Sequence, residues 1–170
     1  MKNIFKYMAV AAMSIALVGL TACTDKPEEN SENVESTSYA FHFNGETVSA
    51  GATVSYSPTL QQMTLDWGSL DFLMENKTDA NLETCMKVER TEGPAAFDNL
   101  SICYGETCKT GTCPWTSDVF TLVPGVNENM KVIIDFIPSA ATEDAVYRIT
   151  IGKGTSLQDP QVMYVRISVA

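Results

Sequence analysis

The strongest constraint on this chain is the short-range alternation of apolar and polar residues from residue 39 onward. The stretch LDFLME, for example, places Leu70, Phe72 and Met74 on one face and two acids on the other. Similar alternation recurs at residues 39–43, 86–92, 130–137, 145–151 and 162–169, and shorter runs occur at 52–57, 62–67 and 119–123. A period of two residues is typical of half-buried strands, and no amphipathic helix follows residue 22. We therefore predict an all-β fold.

Turn-forming pairs separate these runs. They include Asn44-Gly45, Gly93-Pro94, Pro124-Gly125 and Asp159-Pro160. Asn-Gly and Pro-Gly pairs favour tight turns because they accept the backbone angles that such turns require. Many short strands with one polar face predict an antiparallel β-sandwich of roughly 7–9 strands rather than a barrel.

The N-terminal segment has the three parts of a secretory signal peptide. Lys2 and Lys6 precede an apolar run at residues 7–20, and small residues follow. This run is shorter than the roughly 20 residues that a membrane-spanning helix needs, so we predict a signal peptide over residues 1–22. Its end, Leu-Thr-Ala-Cys, resembles the bacterial lipobox. That resemblance implies a lipidated, palmitate-bearing Cys23 and an outer-membrane lipoprotein on the cell surface or the periplasmic face, held to the membrane by its lipid anchor.

The residues after Cys23 are acidic and contain almost nothing apolar. Residues 24–38 hold five acids, one lysine and one proline. Such a composition cannot bury enough surface to fold, so we predict a flexible tether over residues 23–38 and one domain over residues 39–170. The full chain carries a net charge of −10, and removing residues 1–22 takes away two lysines and no acid, which leaves −12. This charge argues against nucleic acid as a partner and against electrostatic binding to anionic lipid.

Four cysteines remain in the predicted domain: Cys85, Cys103, Cys108 and Cys113. Exported domains meet an oxidising compartment, where cysteines pair by default. Zinc sites favour two closely spaced cysteine pairs, and Cys85 has no near neighbour in the sequence. Thiol–disulfide redox centres favour two residues between their cysteines, a spacing that is missing here. We therefore predict two disulfides and no metal, with all three possible pairings left open by spacing alone.

The last hundred residues resemble a family of immunoglobulin-like domains found in Bacteroidetes lipoproteins and secreted proteins. The segments that carry the resemblance are FLMENKT, CMKVERTEGP, CYGETC, LVPG, NMKVIIDFIP, AVYRITI and QVMYVRISV. The resemblance implies an immunoglobulin-like sandwich with a Cys103–Cys108 bridge, which leaves Cys85 to pair with Cys113. Cys85 and Cys113 are not standard members of the pattern, and a usual glycine before the penultimate strand is missing from SAATEDAVY. The family brings no catalytic residues with it.

Two aromatic residues near the cysteines are candidate binding residues. Trp115 and Tyr104 could form an exposed platform for a sugar ring or a partner protein, or they could pack in the core. His42 is the only histidine, so a Ser-His-Asp triad has one possible base and no Gly-x-Ser-x-Gly turn to go with it. Acid pairs such as Glu143-Asp144 fit solvated turns better than a glycosidase site. We predict no catalytic residues and no cofactor.

Three functions compete on this basis. The leading one is a non-catalytic surface binding module for a glycan or a protein. The alternative is a structural or assembly subunit of a periplasmic or pilus-like complex, for which the acidic residues 24–38 would make a poor donor strand because they lack alternating apolar residues. An enzyme is the least favoured of the three.

Overall fold

The computed structural model describes residues 33–57, 59, 68–94, 99–104, 106–128, 132–136 and 143–168. The predicted signal peptide, Cys23, residues 24–32 of the predicted tether and the predicted strand at 62–67 lie outside the described residues. Within the described ranges, no helix has the length and apolar character needed to cross a bilayer.

The described residues form strands joined by turns and short irregular segments. The strands are β1 Tyr39–Phe43, β2 Glu46–Val48, β3 Thr53–Tyr56, β4 Gly68–Asn76, β5 Leu82–Glu92, β6 Asn99–Tyr104, β7 Thr107–Thr112, β8 Trp115–Thr116, β9 Phe120–Leu122, β10 Gly125–Val126, β11 Val132–Phe136, β12 Ala145–Lys153 and β13 Gln158–Ile167. Four of the thirteen strands have three residues or fewer, and the other nine agree with the predicted number. The all-β prediction is confirmed.

The first sheet has the order β2-β1-β4-β11-β6-β7, with β10 also paired to β4. All its pairings are antiparallel. The β1–β2 connection is the predicted Asn44-Gly45 turn, in which both residues have positive φ angles of 52° and 83°. Those angles are typical of the type I′ turn that matches the twist of a hairpin.

The second sheet has the order β3-β13-β12-β5-β8, with β9 also paired to β5. Its centre is the long β12–β13 hairpin and the neighbouring β5. The edge strand β3 runs parallel to β13, with Thr53 opposite Tyr164. This parallel pair joins segments about 110 residues apart in the sequence, which local alternation cannot reveal.

The core lies between the two sheets, where alternate residues of the facing strands meet. The first sheet contributes Phe41, Phe72, Met74 and Ile102, and the second contributes Met86, Val88, Ile149, Met163 and Val165, each with 2% exposure or less. Phe41 and Phe72 meet edge to face, with ring centroids 5.5 Å apart. The arrangement is an immunoglobulin-like β-sandwich with an apolar centre, antiparallel except for the β3–β13 pair.

Candidate functional site

The β6–β7 hairpin holds the disulfide between Cys103 and Cys108. The two cysteines lie directly opposite each other in the register of the hairpin, with Cα atoms 4.0 Å apart. Both alternate with residues that face the core, so the bridge lies on the outer side of the first sheet. The pairing implied by the family resemblance is confirmed.

The predicted second bridge, between Cys85 and Cys113, is wrong in this structure. Both residues carry thiols. Cys113 lies level with Arg90, whose backbone N–H donates to its Sγ over 3.0 Å. Cys85 is five positions away along β5, or about 16 Å at the usual rise of a strand. A disulfide requires Cα atoms within about 7 Å, so the two cannot pair without rearrangement of the sheet.

Cys85 is buried although it lies on the outer row of β5. Its Sγ donates to the backbone oxygen of Ser117 over 3.2 Å, and the Ser117 hydroxyl donates back over 3.5 Å. The chain between β8 and β9 therefore covers the thiol. Alternation with Lys87 and Glu89 places Cys85 in the outer row, but it cannot show that a later segment folds over that row.

The two candidate binding aromatics, Trp115 and Tyr104, are buried, so of the two alternatives left open by the sequence the packed one holds and the exposed platform does not. Trp115 is 6% exposed and Tyr104 is 4% exposed. Their ring centroids are 6.1 Å apart, and Tyr104 also packs against Phe120 at 4.9 Å. The Trp115 ring lies over Gly111, where an added Cβ would come within 2.6 Å of Cδ1. This cluster closes one side of the sandwich by joining the edges of the two sheets.

The folded body begins before residue 39, because residues 35–38 dock onto the second sheet. We call these residues the latch. The Ser36 backbone N–H donates to Gln161 Oε1 over 2.9 Å, and its hydroxyl donates to the backbone oxygen of Asp159 over 2.9 Å. Thr37 donates to both carboxylate oxygens of Asp159, at 3.1 Å from N and 2.8 Å from Oγ1. Ser36, Ser38 and Gln161 are buried. The predicted tether therefore ends four residues earlier than composition suggested.

These contacts change the acidity of Asp159. Burial alone would raise the pKa of its carboxyl group. Hydrogen bonds from Ser38, Thr37 and Ser36 to the carboxylate outweigh burial and lower the pKa to about 2. A carboxylate held by several donors is stabilised in its charged form, so docking of the latch favours an ionised Asp159.

The outer face of the second sheet carries polar and charged side chains across four strands. Two of the chain's three arginines, Arg148 and Arg166, lie on this face, whereas Arg90 is opposite the core residue Tyr147. On this outer face, Arg148 is opposite both Tyr164 and Glu89, and Arg166 is opposite Val146. We call this surface the arginine face. Within a strongly acidic chain it brings cations together with aromatic and hydroxyl groups.

The ion pairs on the arginine face differ in the distance between their nitrogen and oxygen atoms. Lys87 Nζ lies 2.7 Å from Glu89 Oε1, whereas Arg166 lies 3.5 Å from Glu92 and 4.0 Å from Asp144. The Arg166 side chain is 41% exposed. Long, exposed contacts of this kind contribute little to stability and leave donor N–H groups accessible to another molecule.

A groove of about 450 Å³ crosses the arginine face. Its walls include Thr53, Thr91, Glu92, Val146, Tyr164 and Arg166, and Asn33 of the arriving chain also lines it. The guanidinium group only donates hydrogen bonds, the carboxylate only accepts them and the hydroxyls do both. The groove therefore presents both hydrogen-bond donors and hydrogen-bond acceptors beside the ring of Tyr164. Sequence reasoning missed this site because its residues come from four separate strands.

The remaining candidate, His42, lies on the outer face of the first sheet. Its Nε2 is 2.8 Å from Glu75 Oε2, and Thr47 Oγ1 is 3.4 Å from its Nδ1. The three residues form a cross-strand polar row between β2, β1 and β4. Among the described residues, no group of three His, Cys, Asp or Glu side chains is arranged to hold a metal ion.

No family model matches the chain, and no curated protein matches it. Several solved structures, however, are similar to it. The N-terminal domain of PorA is 10% identical, with 76% of this chain and 96% of that one covered and a TM-score of 0.53. The PapD-like domain 7 of human CEP192 is 10% identical, with coverages of 97% and 98% and a TM-score of 0.39. The CooA pilin subunit from enterotoxigenic Escherichia coli is 12% identical, with coverages of 78% and 99% and a TM-score of 0.38. At such identities the similarity to the PorA domain shows a shared sandwich fold and nothing more.

Proposed function

We propose that this protein is a lipid-anchored, non-catalytic binding module of the bacterial envelope, with the groove on the arginine face as its ligand surface. The groove itself carries the proposal. It is concave, it lies on rigid strands, and it combines Tyr164 with the exposed guanidinium group of Arg166 and the carboxylate of Glu92. Sites with a few convergent polar groups on a rigid scaffold are the usual form of small-ligand sites.

The groove chemistry favours an uncharged polar ligand. Lys87, Arg148 and Arg166 are balanced by Glu89, Glu92 and Asp144 on and beside the same face. A balanced face attracts neither strong anions nor strong cations, whereas neighbouring hydroxyls of a glycan can donate to a carboxylate and accept from a guanidinium group. A sugar ring can also place its C–H face on Tyr164. We therefore favour a glycan over a protein as the ligand.

The ligand experiment uses the mature protein in a titration with oligosaccharides of glucose, mannose, xylose and N-acetylglucosamine, followed by amide chemical shifts. We expect one of these probes to shift signals of β12 and β13 around Tyr164. Tyr164→Ala and Arg166→Gln should weaken that binding at least about tenfold, because each removes direct contacts. Thr110→Ala, on the exposed edge strand β7, is the matched control. If none of the probes shifts the groove signals, the groove is not a glycan site.

The anchor is tested separately. Lipidation of Cys23 and attachment to the outer membrane predict that the mature protein partitions into detergent and incorporates a labelled fatty acid, and that Cys23→Ser abolishes both the labelling and the cleavage before residue 23. A protease that cannot cross the outer membrane, applied to intact cells, then distinguishes the two locations. Digestion in intact cells indicates the surface, and digestion only after lysis indicates the periplasm. A Cys23→Ser variant that still incorporates the fatty acid like the parent would contradict the anchor.

An assembly subunit is the second candidate, and one observation favours it. Strand β7 is one of the two edge strands of the first sheet in the described part of the chain, and four of its six residues are exposed. Such an edge can accept a strand from another chain. Thr110→Pro blocks edge pairing. Loss of chemical crosslinks to other envelope proteins in this variant, with groove binding unchanged, would favour assembly over ligand binding.

A further inference from the structure

The turn between β9 and β10 exposes four uncharged, largely apolar residues in a row. Val123, Pro124, Gly125 and Val126 are all exposed, and the two valines are 50% and 45% exposed. We call these residues the apolar tip. Turns are normally built from polar residues that interact with water. A contiguous apolar segment on a protein surface more often marks a contact with another molecule.

Buried asparagines hold the apolar tip in place. The Asn127 side chain is 5% exposed and donates to the backbone oxygens of Val123 and Gly125, over 2.9 and 2.6 Å. Asn76, 1% exposed, donates to the backbone oxygen of Leu122 over 2.9 Å. The backbone N–H of Asn127 donates to Met74 over 3.0 Å, which ties the turn to β4. These hydrogen bonds therefore hold the two valines on the surface and prevent them from folding back into the core.

The apolar tip and the latch lie at the same end of the sandwich. Gly125 is opposite Asn76, which on its other side is opposite Tyr39, the residue that follows the latch. The backbone N–H of Lys77 donates to the Ser38 oxygen over 2.8 Å. From Cys23 to Asn33, ten residues span at most about 35 Å. Asn33 lines the groove on the arginine face, so a lipid on Cys23 would not fix which end of the sandwich faces the bilayer. It would keep the tip within reach of the bilayer, at an effective concentration of about millimolar.

We propose that the apolar tip inserts its two valines into the interfacial layer of the membrane that holds the lipid anchor. This inference rests on the anchor of the proposed function. The tip itself carries no charge, which suits lipid, whereas Glu128 and Glu83 nearby are exposed acids. Those acids would be repelled by anionic headgroups. The membrane partner is therefore a zwitterionic lipid surface, and this end of the sandwich lies against it while the arginine face stays in water.

The experiment uses the full mature lipoprotein reconstituted in phosphatidylcholine vesicles with brominated acyl chains. Val123→Trp places a fluorescent reporter on the tip, and Thr110→Trp on exposed β7 is the matched control. We expect the brominated lipid to quench the added fluorescence of the first variant and not of the second. Replacing a third of the lipid with phosphatidylglycerol should reduce that quenching.

A second measurement avoids the reporter. In the unlabelled parent, bound vesicles should slow hydrogen exchange of the amides at residues 123–126, and Val123→Ser with Val126→Ser should weaken that protection about tenfold. Equal quenching of both reporters, or no protection of the tip in an anchored protein, would overturn the proposal. A dimer that the double serine variant converts to monomer would assign the tip to a second copy instead. Failure of the protein to bind vesicles at all would contradict the lipid anchor. Binding without protection of the tip would contradict only the insertion of the valines.

Discussion

The β6–β7 hairpin and the latch are both attached to the body of the sandwich, but by opposite kinds of interaction. The hairpin is fixed by a disulfide and by the packing of Tyr104 and Trp115 in the core. The latch is fixed by hydrogen bonds that converge on Asp159 and Gln161. Apolar burial is insensitive to pH, whereas a carboxylate that accepts hydrogen bonds loses them when it is protonated. The two regions should therefore fail under different conditions.

The largest effect expected is on the hairpin side. Trp115→Ala removes a buried ring that packs on Gly111 and Tyr104, and it should lower the free energy of unfolding by about 3–5 kcal/mol. Denaturant titration at neutral pH measures this change. Val123→Ala, on the exposed tip, is the control and should change stability by less than about 0.5 kcal/mol. A loss under about 1 kcal/mol for Trp115→Ala would mean that the aromatic cluster is not a packed part of the core.

Reduction of the disulfide should have a smaller effect. The Cys103–Cys108 bridge closes a short loop, for which loop-closure entropy gives about 2 kcal/mol. The double change Cys103→Ser with Cys108→Ser should therefore destabilise the domain by that amount without affecting the latch. Denaturant midpoints of the parent with and without reductant provide the comparison. A reductant effect on the double variant would show that another bridge contributes.

The latch should respond to acid. The folded pKa of Asp159, about 2, lies below its ordinary value of 3.8. Stability from this group is therefore complete above about pH 4 and is lost as the pH falls toward 2. Because solvent screens the site, we expect about 1 kcal/mol. Asp159→Asn should remove that part of the pH dependence, and Asp79→Asn, on an exposed turn, should leave it unchanged. Identical acid profiles for the parent and Asp159→Asn would show that the latch does not hold the carboxylate.

The two remaining thiols should differ in the rate at which an alkylating reagent modifies them. Cys85 is fully buried and Cys113 is half-buried. An alkylating reagent should therefore modify Cys113 first and reach Cys85 only after local opening. Intact-mass measurements over time follow both steps. A native protein with two disulfides and no reactive thiol would restore the Cys85–Cys113 pairing that the structure contradicts.

Local patterns in the sequence predicted local structure well. The alternation in β4, β12 and β13 and the Asn44-Gly45 turn were all confirmed, because each depends on residues within one strand or one turn. The errors involve contacts between distant segments. Ser117 covers Cys85 from 32 residues away, and Thr37 reaches Asp159 across 122 residues. Composition shows that a segment is polar, but it does not show whether another segment supplies partners for those polar groups.

The same limit applies to the groove. Tyr164 and Arg166 alternate with buried residues of β13, in agreement with the alternation noted over residues 162–169. Their neighbours across the sheet, such as Thr53 and Glu92, follow from the strand order, which no local pattern contains. The parallel pairing of β3 with β13 is the least predictable of these features, and it forms one wall of the groove.

The latch also determines how the domain bears mechanical load. If the chain is pulled from its N-terminal side, tension passes first into the hydrogen bonds that Ser36 and Thr37 make with Gln161 and Asp159. Only after these bonds break would the force reach β1 and the sheets. We therefore expect the latch to yield first under tension, releasing its four residues while the sandwich stays intact.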